Sequence, residues 1–226
     1  MSLIQIQNLT FSYDSGEKPL FENVSLSIDT NWKLGLIGRN GRGKTTLLKL
    51  MHGDYRYQGG ISASVSFEYF PYPISYPEEL AIEIVEEIVP GIEQWQIIRE
   101  LTLLQTDSEI LWRPFSSLSK GEQTKLLLAA LFLRENRFLL IDEPTAGIDI
   151  GAKDEIYKIL DNLAEQGVSI LLVSSDLQEL LRVSHRILVF RKGHIQKEFD
   201  SGVITQEDVL MAASGIDTAK KEEKNT

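Results

Sequence analysis

The chain contains no cysteine. That removes disulfides and thiolate metal sites and fits a reducing compartment. No apolar run approaches the roughly 18 residues that suggest a membrane span, so direct membrane insertion is not expected. The opening residues lack a basic stretch followed by an apolar one, so no secretory leader is expected either. Positive charge is scarce: 23 Lys and Arg stand against 33 Asp and Glu, a net charge of -10. Such a balance argues against a broad footprint on nucleic acid or anionic membrane. No internal repeat is present. What remains is a 226-residue chain with 42% hydrophobic and 25% charged residues, enough to bury a sizeable core. A cytoplasmic globular protein is the expectation.

The hydrophobic pattern orders the chain. Ile4 and Ile6 alternate with Gln5 and Gln7, and Val24, Leu26 and Ile28 with Ser25 and Ser27. Period two predicts half-buried antiparallel strands. Lys33 to Ile37, a glycine loop and a helix from Gly43 to about His52 follow. Ile61 to Phe70 reads as one strand. Pro71, Pro73 and Pro77 mark a connector. Glu79 to about Gln105 reads as helix broken near Pro90-Gly91, and Ser119 to Arg134 as one long helix. Phe138 to Ile141 is uniformly apolar, as in a parallel sheet covered on both faces. Then come a helix (Gly151 to Gln166), a strand (Val168 to Val173), a helix (Asp176 to Arg182) and a strand (Arg186 to Phe190). Thr205 and Asp208 form a capping-box pattern for a helix from Gln206 to Ala213. The whole predicts one α/β domain over 1–216 with a helical subdomain at about 73–136 and a disordered tail at 217–226.

Three motifs carry chemistry. Gly38-Arg39-Asn40-Gly41-Arg42-Gly43-Lys44-Thr45 fits G-x-x-x-x-G-K-[ST], between a strand and a helix. Such a loop wraps phosphates in backbone N–H groups at a helix N-terminus. Lys44 adds a point charge, Thr45 offers a hydroxyl to Mg²⁺, and Thr46 follows in the same turn. Phe138 to Ile141 delivers Asp142 and Glu143 to a strand's C-terminal end, where α/β sheets bind ligands. Asp142 can organise Mg²⁺, and Glu143 can act as general base on water. Leu118-Ser119-Lys120-Gly121-Glu122-Gln123 precedes the second motif. Read locally, Ser119 and Glu122 form a capping box; a capped helix N-terminus is also an anion site.

Together these motifs resemble the ATP-binding cassette (ABC) family, whose signature is often written Leu-Ser-Gly-Gly-Gln; Lys120 and Glu122 depart from it. The resemblance covers nearly the whole chain. It implies a P-loop NTPase of ABC type: a mixed sheet with an antiparallel β N-terminal part, a RecA-like parallel core and a helical insertion. It implies ATP and Mg²⁺ as ligands, hydrolysis, and a transient ATP-dependent head-to-tail homodimer in which Ser119, Gly121 and Glu122 reach the partner's ATP. Tyr13 matches the aromatic that stacks on adenine, and Asp149 the segment crossing the dimer interface. Two positions differ: Tyr72 stands where the family usually has Gln, and Ser175 where it usually has His. Both replacements imply slow turnover.

Within the family, residues 1 to about 143 look like the ABC-F class, through Leu118 to Lys125 and Phe132 to Arg137. From Pro144, Ala146-Gly147-Ile148-Asp149 and Val173-Ser174-Ser175-Asp176 are similar to the second cassette of sugar-importer ATPases. The two likenesses meet in Asp142-Glu143-Pro144-Thr145, as in a chimera of two cassettes or a divergent single one. They imply either a ribosome or a membrane permease as partner. If the loop at 38–45 binds phosphate, Lys44→Ala lowers affinity in a nucleotide titration; equal affinity in both proteins would refute the assignment.

Overall fold

The computed structural model describes residues 3–14, 18–29, 33–38, 41–134, 137–165, 167–191, 194–200 and 204–214. Arg39, Asn40 and the tail at 217–226 lie outside the described residues. The chain forms two compact units, one from 1–69, 138–143 and 167–226, the other from 70–137 and 144–166.

In the first unit, β1 (Leu3–Phe11) pairs antiparallel with β2 (Phe21–Asp29) and with β4 (Gln58–Ser62). Ile4 and Ile6 alternate onto the buried side, and Leu9 returns to it after a register shift. A second sheet has the order β5-β6-β7-β3-β8-β9, with β3 at Lys33–Gly38, β5 at Ser66–Phe70, β6 at Arg137–Asp142, β7 at Ser169–Val173, β8 at Arg186–Arg191 and β9 at His194–Asp200. β6, β7, β3 and β8 run parallel, and β9 closes the edge antiparallel to β8. Helix α1 (Lys44–His52) follows β3. Its buried Leu47, Leu48, Leu50 and Met51 join Ile4, Ile6, Phe21, Phe138, Leu140 and Phe190 in one core. The apolar runs Phe138–Ile141 of β6 and Ile170–Val173 of β7 are buried throughout, as in a parallel sheet covered on both faces.

One expectation needs correction. The stretch from Ile61 to Phe70 is two strands rather than one, and they belong to different sheets. The strand β9 was not expected. Its side chains are mostly exposed, as an edge strand permits, so no apolar alternation announces it.

The second unit is mainly helical: α2 (Ala81–Ile88), α3 (Gln94–Leu103), α4 (Lys120–Phe132) and α5 (Ile150–Glu165). Two 3₁₀ turns, Ser108–Trp112 and Phe115–Ser117, precede α4. Leu80 and Pro114 bridge the entry to α2. The start of α4 lies against α5: a Cβ on Gly121 would stand 3.2 Å from that of Ala152. Lys125 of α4 pairs with Glu155 of α5. In the first unit, α6 (Leu177–Val183) and α7 (Gln206–Ser214) complete the fold. Asp176 caps α6 by accepting from the Gln178 N–H at 2.9 Å. Thr205 and Asp208 form the expected box ahead of α7.

Phe138 is fully buried and meets Phe67 edge-on at 5.9 Å. Truncating a core aromatic removes apolar burial and leaves a cavity. Phe138→Ala is expected to cost about 3–5 kcal/mol, read as a shift of the denaturant midpoint.

Candidate functional site

The parallel register determines where the site forms. Asp142 stands opposite Val173, and Leu36 opposite Val173 on the other side of β7. The C-terminal ends of β3, β6 and β7 therefore lie side by side, and each motif of the first unit leaves from one of them.

The loop after β3 begins at Gly38, where a Cβ would meet the Phe190 carbonyl oxygen at 2.4 Å. Only glycine permits that approach. Gly43 caps α1 at φ 99°, and Phe21 fills the space where its Cβ would stand. At Gly41 a Cβ would meet nothing within 4 Å. Gly41, Arg42 and Thr45 are exposed. Lys44 is buried, and its ammonium donates to the Gly38 carbonyl at 2.7 Å. Burial lowers the Lys44 pKa, against the raising fields of Glu143 and Asp142. An anion in the loop would favour its charged form.

Thr46 is buried and shares a 2.8 Å hydrogen bond with the Tyr13 hydroxyl. Tyr13 stands edge-on to Phe11 at 4.9 Å and to Tyr55 at 5.7 Å. Its ring is thus pinned to the phosphate-loop helix yet 43% exposed.

Asp142 is 7% exposed. Its Oδ2 accepts from the Tyr69 hydroxyl at 3.1 Å, while its Oδ1 is buried without a hydrogen-bond partner. Burial, then the Asp142 charge, pushes the Tyr69 phenol far above its usual range. Glu143 has φ 48°, a left-handed backbone that costs a side-chain-bearing residue of order 1–3 kcal/mol. Its N–H continues the β6–β7 ladder by donating to the Val173 carbonyl at 2.9 Å. Glu143 Oε2 accepts from the Ser175 hydroxyl at 3.1 Å. Behind Ser175, the buried Ser174 bonds to the buried Glu179 and accepts from the Asp176 N–H.

Lys44, Asp142, Glu143, Ser175, Tyr13 and Thr46 are therefore gathered within one unit. Ser119, Gly121, Glu122 and Tyr72 belong to the other. There the capping box is complete: the Glu122 N–H donates to Ser119 Oγ at 3.2 Å and the Ser119 N–H to Glu122 Oε2 at 2.7 Å. The backbone bond from Ser119 is the main reason that the Glu122 carboxyl titrates below its usual range. Arg113 lies 3.7 Å from Glu122. Tyr72 packs edge-on to Phe70. Asp149 caps α5, with Oδ1 accepting from the Ala152 N–H at 3.0 Å.

The residues present fit Mg²⁺. That ion is commonly held by one or two protein oxygens together with phosphate oxygens and water. Thr45 is an exposed hydroxyl in the loop's helix, and Asp142 carries an orphaned buried oxygen. Among the described residues, no cluster of three His, Cys, Asp or Glu could hold a metal unaided. Tyr69 is the neighbour of Asp142 that the sequence did not reveal; only its place beside β6 shows its partner.

Fold and site define a nucleotide-binding P-loop cassette. The chain belongs to the ABC transporter family, which residues 21–146 match. It is 33% identical to the xylose import ATP-binding protein XylG of Pseudomonas fluorescens over 238 residues, covering 90% of this chain and 45% of that protein. It is likewise 33% identical to the ribose import ATP-binding protein RbsA 2 of Rubrobacter xylanophilus, covering 89% and 44%. The chain thus spans less than half the length of these relatives. The fold matches the dimeric ABC transporter cassette MJ0796 with a TM-score of 0.76 at 20% identity, covering 88% of this chain and 98% of that one. It also matches an inward-facing metal-chelate type ABC transporter with a TM-score of 0.79 at 24% identity, covering 95% and 89%.

Removing one hydrogen bond to a charged group, worth about 1.5–3 kcal/mol, corresponds to a roughly 10- to 10²-fold change. Ser175→Ala is expected to lower the turnover number by about that factor with nucleotide affinity unchanged, as read by phosphate release beside a binding titration.

Proposed function

We propose that the chain, taken as one cassette over 1–216, hydrolyses Mg·ATP slowly in the cytoplasm. In this reading it closes on ATP as a head-to-tail pair and drives a sugar-importing permease. The observation that carries the hydrolytic part is the convergence of Lys44, Asp142, Glu143 and Ser175 at the ends of three parallel strands.

In this reading the triphosphate lies along the loop at 38–45. Lys44 exchanges its bond to the Gly38 carbonyl for phosphate oxygens, and Tyr13 offers its exposed face to the base. Thr45 and Asp142 would hold Mg²⁺, which neutralises phosphate charge. Glu143 takes a proton from the attacking water, whose oxygen forms the new bond to the γ-phosphorus while the bond to the leaving ADP oxygen breaks. Ser175 keeps the Glu143 carboxylate oriented. The capped start of α4, with Ser119, Gly121 and Glu122, supplies N–H groups to the ATP of the second copy. Turnover is slow because Ser175 and Tyr72 replace an imidazole and an amide: a serine hydroxyl carries no positive charge and is shorter.

The importer reading rests on the xylose and ribose import relatives, which also favour a permease over a ribosome as partner. An alignment that covers 90% of the chain crosses residues 142–145. That supports one line of descent over a joint between an ABC-F-like half and an importer-like half.

Steady-state phosphate release tests the chemistry. Glu143→Gln is expected to lower it by about 10²–10⁴-fold while ATP still binds. Ser175→His is expected to raise it, by at most the roughly 10²–10³-fold that one transition-state contact carries. A parent no faster than Glu143→Gln would refute hydrolysis. A parent as fast as Ser175→His would refute the account of slow turnover.

A further inference from the structure

Tyr69 stands on β5, the strand next to β6 in the sheet. Its hydroxyl donates to Asp142 Oδ2 at 3.1 Å. The ring is held from α1: the Lys49 ammonium lies 5.9 Å from its centroid, and the His52 ring 6.0 Å away. His52 is itself anchored by Asp54 at 2.6 Å. The helix that begins with Lys44 and Thr45 therefore ends by gripping the tyrosine that holds the carboxylate of β6. Asp142 has one oxygen occupied and the other, buried, without a hydrogen bond.

We propose that Tyr69 is the positioning residue for the metal ligand, its hydroxyl occupying one oxygen of Asp142 and reserving the other for Mg²⁺. This inference rests on the Mg·ATP reading of the site. A carboxylate with both oxygens free can turn about its Cβ–Cγ bond and coordinate in more than one way. One fixed hydrogen bond from a rigid aromatic removes that freedom before the ion arrives. Partners that orient a ligating carboxylate contribute about 10- to 100-fold to metal affinity. Tyr69 touches neither the phosphate loop's ligand positions nor the Glu143 carboxylate in the hydrogen bonds of the site. Its effect is therefore confined to the metal.

The test is Tyr69→Phe, which keeps the ring between Lys49 and His52 and deletes only the hydroxyl. A fluorescent ATP analogue is titrated without divalent cation and then across a Mg²⁺ series, with thermal melting as the check on folding. The expected result is unchanged metal-free nucleotide affinity and a half-saturating Mg²⁺ concentration raised by about 10-fold. Turnover should then return toward the parent value at high Mg²⁺, a change in apparent metal KM rather than in kcat. An unchanged Mg²⁺ half-saturation overturns the proposal. Equal loss of affinity with and without Mg²⁺, or a collapsed melting transition, overturns it as well, because the tyrosine then acts on the fold. Lys44→Ala runs beside it: if that variant binds metal-free nucleotide like the parent, the phosphate-site reading itself fails and takes this inference with it.

Discussion

The parallel pairing of β6 with β7 and of β7 with β3 is the constraint on which the site depends. Asp142 opposite Val173 and Val173 opposite Leu36 bring three chain exits to one edge. The segments that leave there carry the phosphate loop, the two carboxylates and Ser175. A slip of one residue in either pairing would move each exit about 3.3 Å and send every side chain of the strand to the other face. The two-sided apolar burial of β6 and β7 resists such a slip, so the core holds the chemistry in register.

The fold was legible in the sequence wherever periodicity and burial agree. Phe138 to Ile141 and Ile170 to Val173 are apolar and buried throughout, and both strands were found within a residue. The break in the helical stretch at Pro90-Gly91 was visible because proline lacks the N–H that a helix interior needs. Edge elements were less legible. His194–Asp200 pairs on one side only and keeps most side chains in water, so its composition is that of a loop. The chain from Gln58 to Phe70 changes sheets in mid-course, and alternation alone cannot report a change of partner.

The site divides along the same line. Lys44, Thr45, Asp142 and Glu143 sit in contiguous motifs, so local spacing suffices to propose them. Tyr69 and Ser175 bond to partners 73 and 32 residues away, which no local pattern encodes. Ser175 was read as a shortened replacement; the structure adds that its hydroxyl holds the Glu143 carboxylate. In the signature segment, Glu122 looked like a departure, and the box with Ser119 gives it a local reason: it satisfies a backbone N–H that a helix start leaves open.

The left-handed backbone of Glu143 has a consequence for selection experiments. At φ 48°, glycine and asparagine fit with little strain and β-branched side chains fit badly. A library varied at this position and sorted for expression or thermal survival would enrich residues chosen by backbone angle. On the proposed chemistry, the same library sorted for phosphate release would retain the carboxylate. The disagreement between the two enrichments would separate, at one codon, what the turn tolerates from what the reaction requires.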